Sequence, residues 1–299
     1  MTLSYEQLYE RERDSLLYLL EENQQIEYRK QYHAKTIQSG SQIEVQLYEV
    51  WDTKSKNKGK AKKPSKRRQE KLNQRNSQLN FVRLINENFT EKDTWMSLTY
   101  DIFSLPADYE TAVKNIKNYI IAVKRKWKDR DVKYAYSIEY GEGRCHHHLF
   151  INISDRDTLE EMWCSASERA RKRKNPAYRI HKYGRTQARR LQADDFGFTG
   201  AAMYTSKESK KNKKKYVCSK NLRKPKETKT KTLKGRRLTR RFVKKLAEDK
   251  RAAKMELLKL FPDCQFNDID IRQTPYTKGY YLYARLKRID GASGTPPPT

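Results

Sequence analysis

No stretch of this sequence approaches the roughly 20 apolar residues that a membrane-spanning helix needs. Its first residues, Met1 to Gln7, lack the basic start and apolar run of a signal peptide. The chain is therefore expected to be soluble and cytoplasmic, with no membrane partner. Cysteine is scarce too. Cys145, Cys164, Cys218 and Cys264 are scattered, and no CxxC pair occurs. That argues against a disulfide framework and a zinc finger, and for reduced thiols. Apolar residues make up 36% and charged residues 34%, so only part of the chain can build a core. Acid is the scarcer sign: 37 Asp and Glu face 66 Lys and Arg, leaving +29. Such an excess implies a polyanionic partner. Nucleic acid comes first. An anionic membrane surface comes second, because no long basic amphipathic helix with a Trp/Leu face occurs.

Periodicity outlines the elements. Residues 4–33 lack Gly and Pro and carry Leu8, Leu16, Leu17, Leu19, Leu20 and Ile26, which predicts one or two helices, an accessory or oligomerising arm. Residues 42–51 alternate at Ile43, Val45 and Leu47, as a half-buried strand does. Residues 54–75 hold eleven Lys/Arg and one acid, Glu70. They read as a basic loop feeding a helix that opens at Pro64-Ser65 and runs to about Asn88. A strand over 94–101 and a helix over 107–128 follow. Strands over 132–139 and 146–152 flank a Gly141-Glu-Gly143 turn and form a hairpin. Helices are expected over 155–173 and over 199–210, the latter capped by Thr199. The run 206–245 has nineteen Lys/Arg against two Glu, with a short strand near Tyr216. A helix over 238–260 and strands over 264–272 and 279–287 complete the order. The expected fold is α+β, one antiparallel sheet with helices on a face and a helical N-terminal extension. The expected division is an extension and basic linker over 1–60, one domain over 61–288, and a disordered tail over 289–299.

Three of the five histidines stand side by side, at His146, His147 and His148. On a strand, His146 and His148 share one face and His147 takes the other. Across the hairpin, Glu139 can lie close to His146 or His148. Two imidazoles and a carboxylate suit Mn²⁺ or Mg²⁺, with open positions for a phosphate and water. The alternative is that these histidines only stabilise the sheet or bind an anion. Tyr204 and Lys207 are three residues apart on the predicted helix, hence on one face. A tyrosine can serve as a nucleophile, and a nearby lysine can stabilise charge. Alone, the pair is weak in a chain of twenty tyrosines, and Tyr276-Thr-Lys278 is a near match.

In combination, these motifs resemble the HUH endonuclease superfamily, in which a His-hydrophobic-His strand holds a divalent metal and a helical tyrosine nicks single-stranded DNA. The chain is most similar to its Rep-type rolling-circle replication initiators of small plasmids and phages. Met96-Ser-Leu-Thr-Tyr100 resembles the first motif, and Gly143-Arg-Cys-His146-His147-His148-Leu149 the second. The third corresponds to Tyr204-Thr-Ser-Lys207 followed by Lys220-Asn-Leu-Arg-Lys-Pro225. The similarity spans about residues 60–288. Two positions depart from the pattern: His147 stands where an apolar residue is usual, and only one tyrosine is present at the third motif.

The resemblance implies a metal-dependent, site-specific nickase and strand transferase. His146, His148 and Glu139 would hold Mn²⁺ or Mg²⁺, Tyr204 would attack the phosphate, and Lys207 would orient the phenol or neutralise charge. It implies DNA contacts from Arg144, Lys210, Lys211, Lys213, Lys214, Lys220, Arg223 and Lys224, and from Lys62 and Lys63 upstream. The partners implied are single-stranded origin DNA and a host helicase and polymerase in a bacterial cell. No GxxxxGK[ST] phosphate loop occurs, so unwinding falls to the host. With one tyrosine, the second cleavage falls to a second subunit, as in a homodimer, or to water. The competing readings are a relaxase or transposase of the same superfamily and a non-catalytic basic DNA-binding protein.

Overall fold

The computed structural model describes residues 31–50, 66–141, 144–164, 183–207, 215–273 and 279–289. Residues 4–30 of the predicted helical segment, the basic loop over 54–63, the expected helix start at Pro64-Ser65 and residues 290–299 of the expected tail lie outside the described residues. Residues 31–33, expected at the end of that helix, are strand. The fold is mixed α+β with antiparallel sheets. Where one sheet was expected, the described residues form two five-stranded sheets and a small two-stranded one. The chain divides into two units, one of residues 1–77 with 225–299 and one of residues 78–224. The segment 61–288, expected as one domain, is shared between them.

The discontinuous unit is built on the hairpin of β1 (Gln31–Ser39) and β2 (Gln42–Val50). Gly40 sits in its turn at φ 57, where a residue without Cβ is favoured. The last two strands, β11 (Cys264–Gln273) and β12 (Tyr280–Arg288), join it together with β8 (Lys226–Thr230), in the order β11-β12-β2-β1-β8. Residues 31–50, read as part of an extension, are thus at the centre of a sheet. Register explains the core. Ile43, Val45 and Leu47 pair with Leu286, Ala284 and Leu282. This apolar face packs against two helices, α5 (Arg240–Glu248) and α6 (Lys250–Leu260), through Phe242, Val243, Leu246 and Leu257. One helix was expected over 238–260. Asp249 divides it: its carboxylate accepts from the N–H groups of Arg251 and Ala252 and caps α6. Between β8 and α5 lies a small hairpin of β9 (Thr232–Leu233) and β10 (Arg236–Arg237).

The continuous unit carries β3 (Thr94–Thr99), β4 (Tyr134–Gly141), β5 (Arg144–Ile151), β6 (Thr186–Arg190) and β7 (Val217–Cys218) in the order β6-β3-β5-β4-β7. Helices cover both faces, not one. On one side, α2 (Tyr109–Lys126) and α3 (Arg156–Trp163) bury Ile116, Ile120, Leu159 and Trp163 against Met96, Leu98, Ile138 and Leu149. Asp108 and Asp155 cap these helices by accepting from the N–H groups of Thr111 and Thr158. The predicted helix over 155–173 ends at Trp163 among the described residues. On the other side lie Phe81, Val82 and Ile85 of α1 (Lys66–Asn88) and Ala202 of α4 (Thr199–Thr205), against Ala135 and Phe150. The helix expected over 199–210 ends at Thr205. Its N-cap is Phe198, not Thr199, whose hydroxyl donates back to Phe196 O. Within the described residues, no helix is long and apolar enough to cross a membrane.

Candidate active site

β5 is the central strand of the continuous unit, with β3 on one side and β4 on the other. Its registers fix what surrounds each histidine. His146 stands opposite Thr99 and Glu139, His147 opposite Leu98 and Ile138, and His148 opposite Ser97 and Ser137. The strand alternation therefore separates the triplet. His147 shares its face with Cys145 and Leu149, towards α2 and α3. His146 and His148 share the opposite face with Phe150, towards α1 and α4.

His148 is 5% exposed. Its Nδ1 is 3.2 Å from Ser97 Oγ, and its Nε2 is 3.5 Å from Glu139 Oε2. That Nε2 is buried and makes no hydrogen bond of good geometry. Burial lowers the pKa of the ring, and the Glu139 carboxylate works in the other direction. Burial prevails, so the imidazole is held towards its neutral form, the one with a free lone pair. Glu139 is half-exposed, and its strand position sets it diagonally across from His148.

Tyr204 comes to the same face from α4. Its ring stands edge-on to His148, with centroids 5.1 Å apart and planes at 76°. It also stands edge-on to Trp95 at 5.9 Å. Trp95 in turn stacks on His148 at 6.1 Å and 20°. Three side chains hold α4 in place. Trp95 Nε1 donates to Thr205 Oγ1 at 3.1 Å, Asn86 Oδ1 accepts from the Phe198 N–H at 2.8 Å, and Gln78 Nε2 donates to Ser206 O at 3.3 Å. Tyr204 nevertheless remains 56% exposed. The ring is fixed at its inner edge and open to a ligand from outside.

The other predicted residues divide. Lys207 is not on the helical face of Tyr204, because α4 has already ended; it is exposed, and its backbone N–H donates to Tyr204 O at 3.3 Å. Arg144 opens β5 opposite Gly141 and is exposed. Arg223 has a structural tie: its N–H donates to Asn88 Oδ1, Asn88 Nδ2 donates to its carbonyl, and its Nε lies 3.8 Å from Glu87. Lys220 and Lys224 are exposed. Lys62, Lys63, Lys210, Lys211, Lys213 and Lys214 lie outside the described residues. Trp95 and Ser97 belong to the cluster but were not singled out. Strand alternation was the signal available, since both lie on β3 beside the histidine strand, Ser97 directly opposite His148.

His147 sits in a separate, fully buried aromatic setting. Its Nε2 is 2.7 Å from the Tyr100 hydroxyl, and its ring stands edge-on to Tyr100 and Trp163. Its Nδ1 has no partner. Burial, helped by the neighbouring histidines, lowers its pKa to about 3. It is a neutral core side chain.

Among the described residues, no three His, Cys, Asp or Glu side chains converge into a ready-made metal group. Glu139 and His148 are the two that meet. The orphaned, buried Nε2 of His148, aimed at a carboxylate, fits a divalent cation with nitrogen and oxygen ligands, and His146 shares that face. No family model matches the chain, and no curated protein or solved structure matches it.

Proposed function

We propose that the continuous unit is a single-tyrosine DNA nickase of the HUH type, a rolling-circle replication initiator acting on single-stranded DNA. One observation carries the reading: an exposed tyrosine ring lies 5.1 Å from a buried, neutral histidine whose free nitrogen faces a carboxylate at 3.5 Å. A central histidine strand between two antiparallel neighbours supports the same reading. So does the net charge of +29, which suits a polyanionic substrate.

In this reading, His146, His148 and Glu139 would hold Mn²⁺ or Mg²⁺, which supplies Lewis-acid polarisation of the scissile phosphate. Trp95 and Ser97 fix the His148 ring. Trp95, Asn86 and Gln78 fix the helix that carries Tyr204. The phenol oxygen of Tyr204 attacks phosphorus, and the bond from phosphorus to the upstream 3′ oxygen breaks. The phenol proton goes to that departing oxygen. The products are a 5′-phosphotyrosine and a free 3′ hydroxyl that can prime synthesis. Lys207, just past the helix, neutralises phosphate charge.

The test is a pool of randomised single-stranded oligonucleotides incubated with the chain and Mn²⁺. The expected result is a band of protein bound covalently to DNA that survives denaturing electrophoresis and is absent with EDTA. Tight DNA binding with no adduct under any divalent cation would favour the non-catalytic reading.

A further inference from the structure

The discontinuous unit carries a cationic surface of its own, formed by the β9–β10 hairpin and α5. Between Lys226 and Lys245 every Lys and Arg is exposed. The only acid in that interval, Glu227, is spent on Lys35 at 2.9 Å. The hairpin turns through Lys234 and Gly235, both at positive φ, the pattern of a tight two-residue turn. A lysine at φ 50 is an uncommon choice for such a tip. Arg236 and Arg237 follow it directly.

α5 completes the surface. Phe242, Val243 and Leu246 face the core. Arg240, Arg241, Lys244 and Lys245 recur at i, i+1, i+4 and i+5 and share the opposite face. Arg236 lies over the Phe242 ring at 4.5 Å, which joins hairpin to helix. Arg236, Arg241, Lys244 and Lys245 line one shallow recess together with Thr239, Glu248 and Asp249. Two of these cations make ion pairs, Lys244 with Glu248 at 3.5 Å and Arg236 with Glu256 at 3.6 Å, while Asp249 caps α6.

The surface is also poor in exposed rings. Among the described residues, the exposed aromatic side chains are Phe103 and Tyr204, both in the other unit. The aromatic rings beneath this surface, Phe242 and Phe261, are buried under Arg236 and Lys234. Surfaces for single strands combine cations with exposed rings on which bases stack. Cations without rings suit a ligand whose bases are already paired, where phosphates alone are offered.

We propose that the hairpin and α5 form a second nucleic-acid surface, which binds the phosphate backbone of duplex DNA. It does not rest on the nicking reading, because binding alone reveals it.

The experiment uses the full chain with Tyr204→Phe, so that no cleavage enters the readout. A labelled 20-base-pair duplex and a labelled oligo-dT strand are titrated by fluorescence anisotropy across a salt series. The test variant adds Arg240→Ala, Arg241→Ala, Lys244→Ala and Lys245→Ala. Duplex affinity should fall at least tenfold near 0.1 M salt. The slope of log K against log salt should flatten by about 3 to 4, at roughly 0.9 for each phosphate no longer neutralised. Affinity for oligo-dT should change by less than threefold. If circular dichroism shows the fourfold variant misfolded, Arg241→Gln with Lys245→Gln takes its place, with an expected slope change of about 2. An equal loss on duplex and single strand overturns the proposal. So does unchanged duplex binding.

Discussion

Both units use a five-stranded antiparallel sheet, yet they bring different chemistry to the surface. The discontinuous unit buries aliphatic pairs such as Leu47–Leu282 under α5 and α6 and presents cations without rings. The continuous unit has helices on both faces of its sheet. On one of them it sets His148 and Trp95 against an exposed Tyr204, with His146 and Glu139 paired across the strands on that same face. The difference lies in what faces the second layer of helices. Where both sides of a sheet are covered, polar side chains can be held half-buried in fixed rotamers, with shifted pKa and few escape routes. Where cations stand on a helix exposed to water, they remain solvated and spread over a face. The first arrangement suits chemistry at one atom, and the second suits contact with many phosphates.

The largest expected effect is Tyr204→Phe, which should lower adduct formation by at least about 10,000-fold, as loss of a nucleophile does, while duplex binding stays within twofold. Glu139→Gln should follow, lowering Mn²⁺-dependent cleavage by about 100-fold through weaker support of the metal and of His148. Partial rescue at raised Mn²⁺ would distinguish this from misfolding.

The buried His147 gives a pH test. Its folded pKa is depressed to about 3 from 6.5, so between those values the unfolded chain binds a proton that the folded ring does not. Stability from the neutral ring is present above pH 6.5 and is lost as pH falls towards 3. Between pH 7 and pH 5 this amounts to about 2 kcal/mol, at about 1.4 kcal/mol per pH unit. Urea unfolding of the wild type and of His147→Leu at both pH values should show the variant losing less by that amount. The smallest effect concerns Phe103, which is 98% exposed on the loop leaving β3. Phe103→Ala should weaken binding of a single strand about tenfold, the contribution of one stacked base, and leave duplex binding unchanged. Equal losses on both ligands would erase the distinction between the units.

Much of the continuous unit was legible in the sequence. Alternation in residues 144–151 separates His147 from its neighbours, and the turn after Glu139 sets it opposite His146. Helix α2 was legible from Ile116, Ile120 and Val123 at helical spacing. The second sheet was not. β1 reads Gln-Tyr-His-Ala-Lys-Thr-Ile-Gln-Ser, with few apolar residues, because its stability comes from pairing with β2 and β8. β8 itself is Lys-Glu-Thr-Lys-Thr, an exposed edge strand that local composition marks as loop. At the site, the end of α4 at Thr205 was missed, because Ala-Ala-Met-Tyr continues into residues with fair helix propensity. Tertiary anchors from Trp95 to Thr205 and from Gln78 to Ser206 fix that boundary. Trp95 was visible as a strand residue and was not recognised as a neighbour of Tyr204, since the two are more than a hundred residues apart in the chain.

The most direct test of the nicking account is mass spectrometry of the covalent protein–DNA product after digestion with protease and nuclease. The account predicts a single modified peptide, with the nucleotide 5′-phosphate on Tyr204 and on no other tyrosine. A phosphate on another residue, or a cleaved strand with no attached peptide, would contradict it.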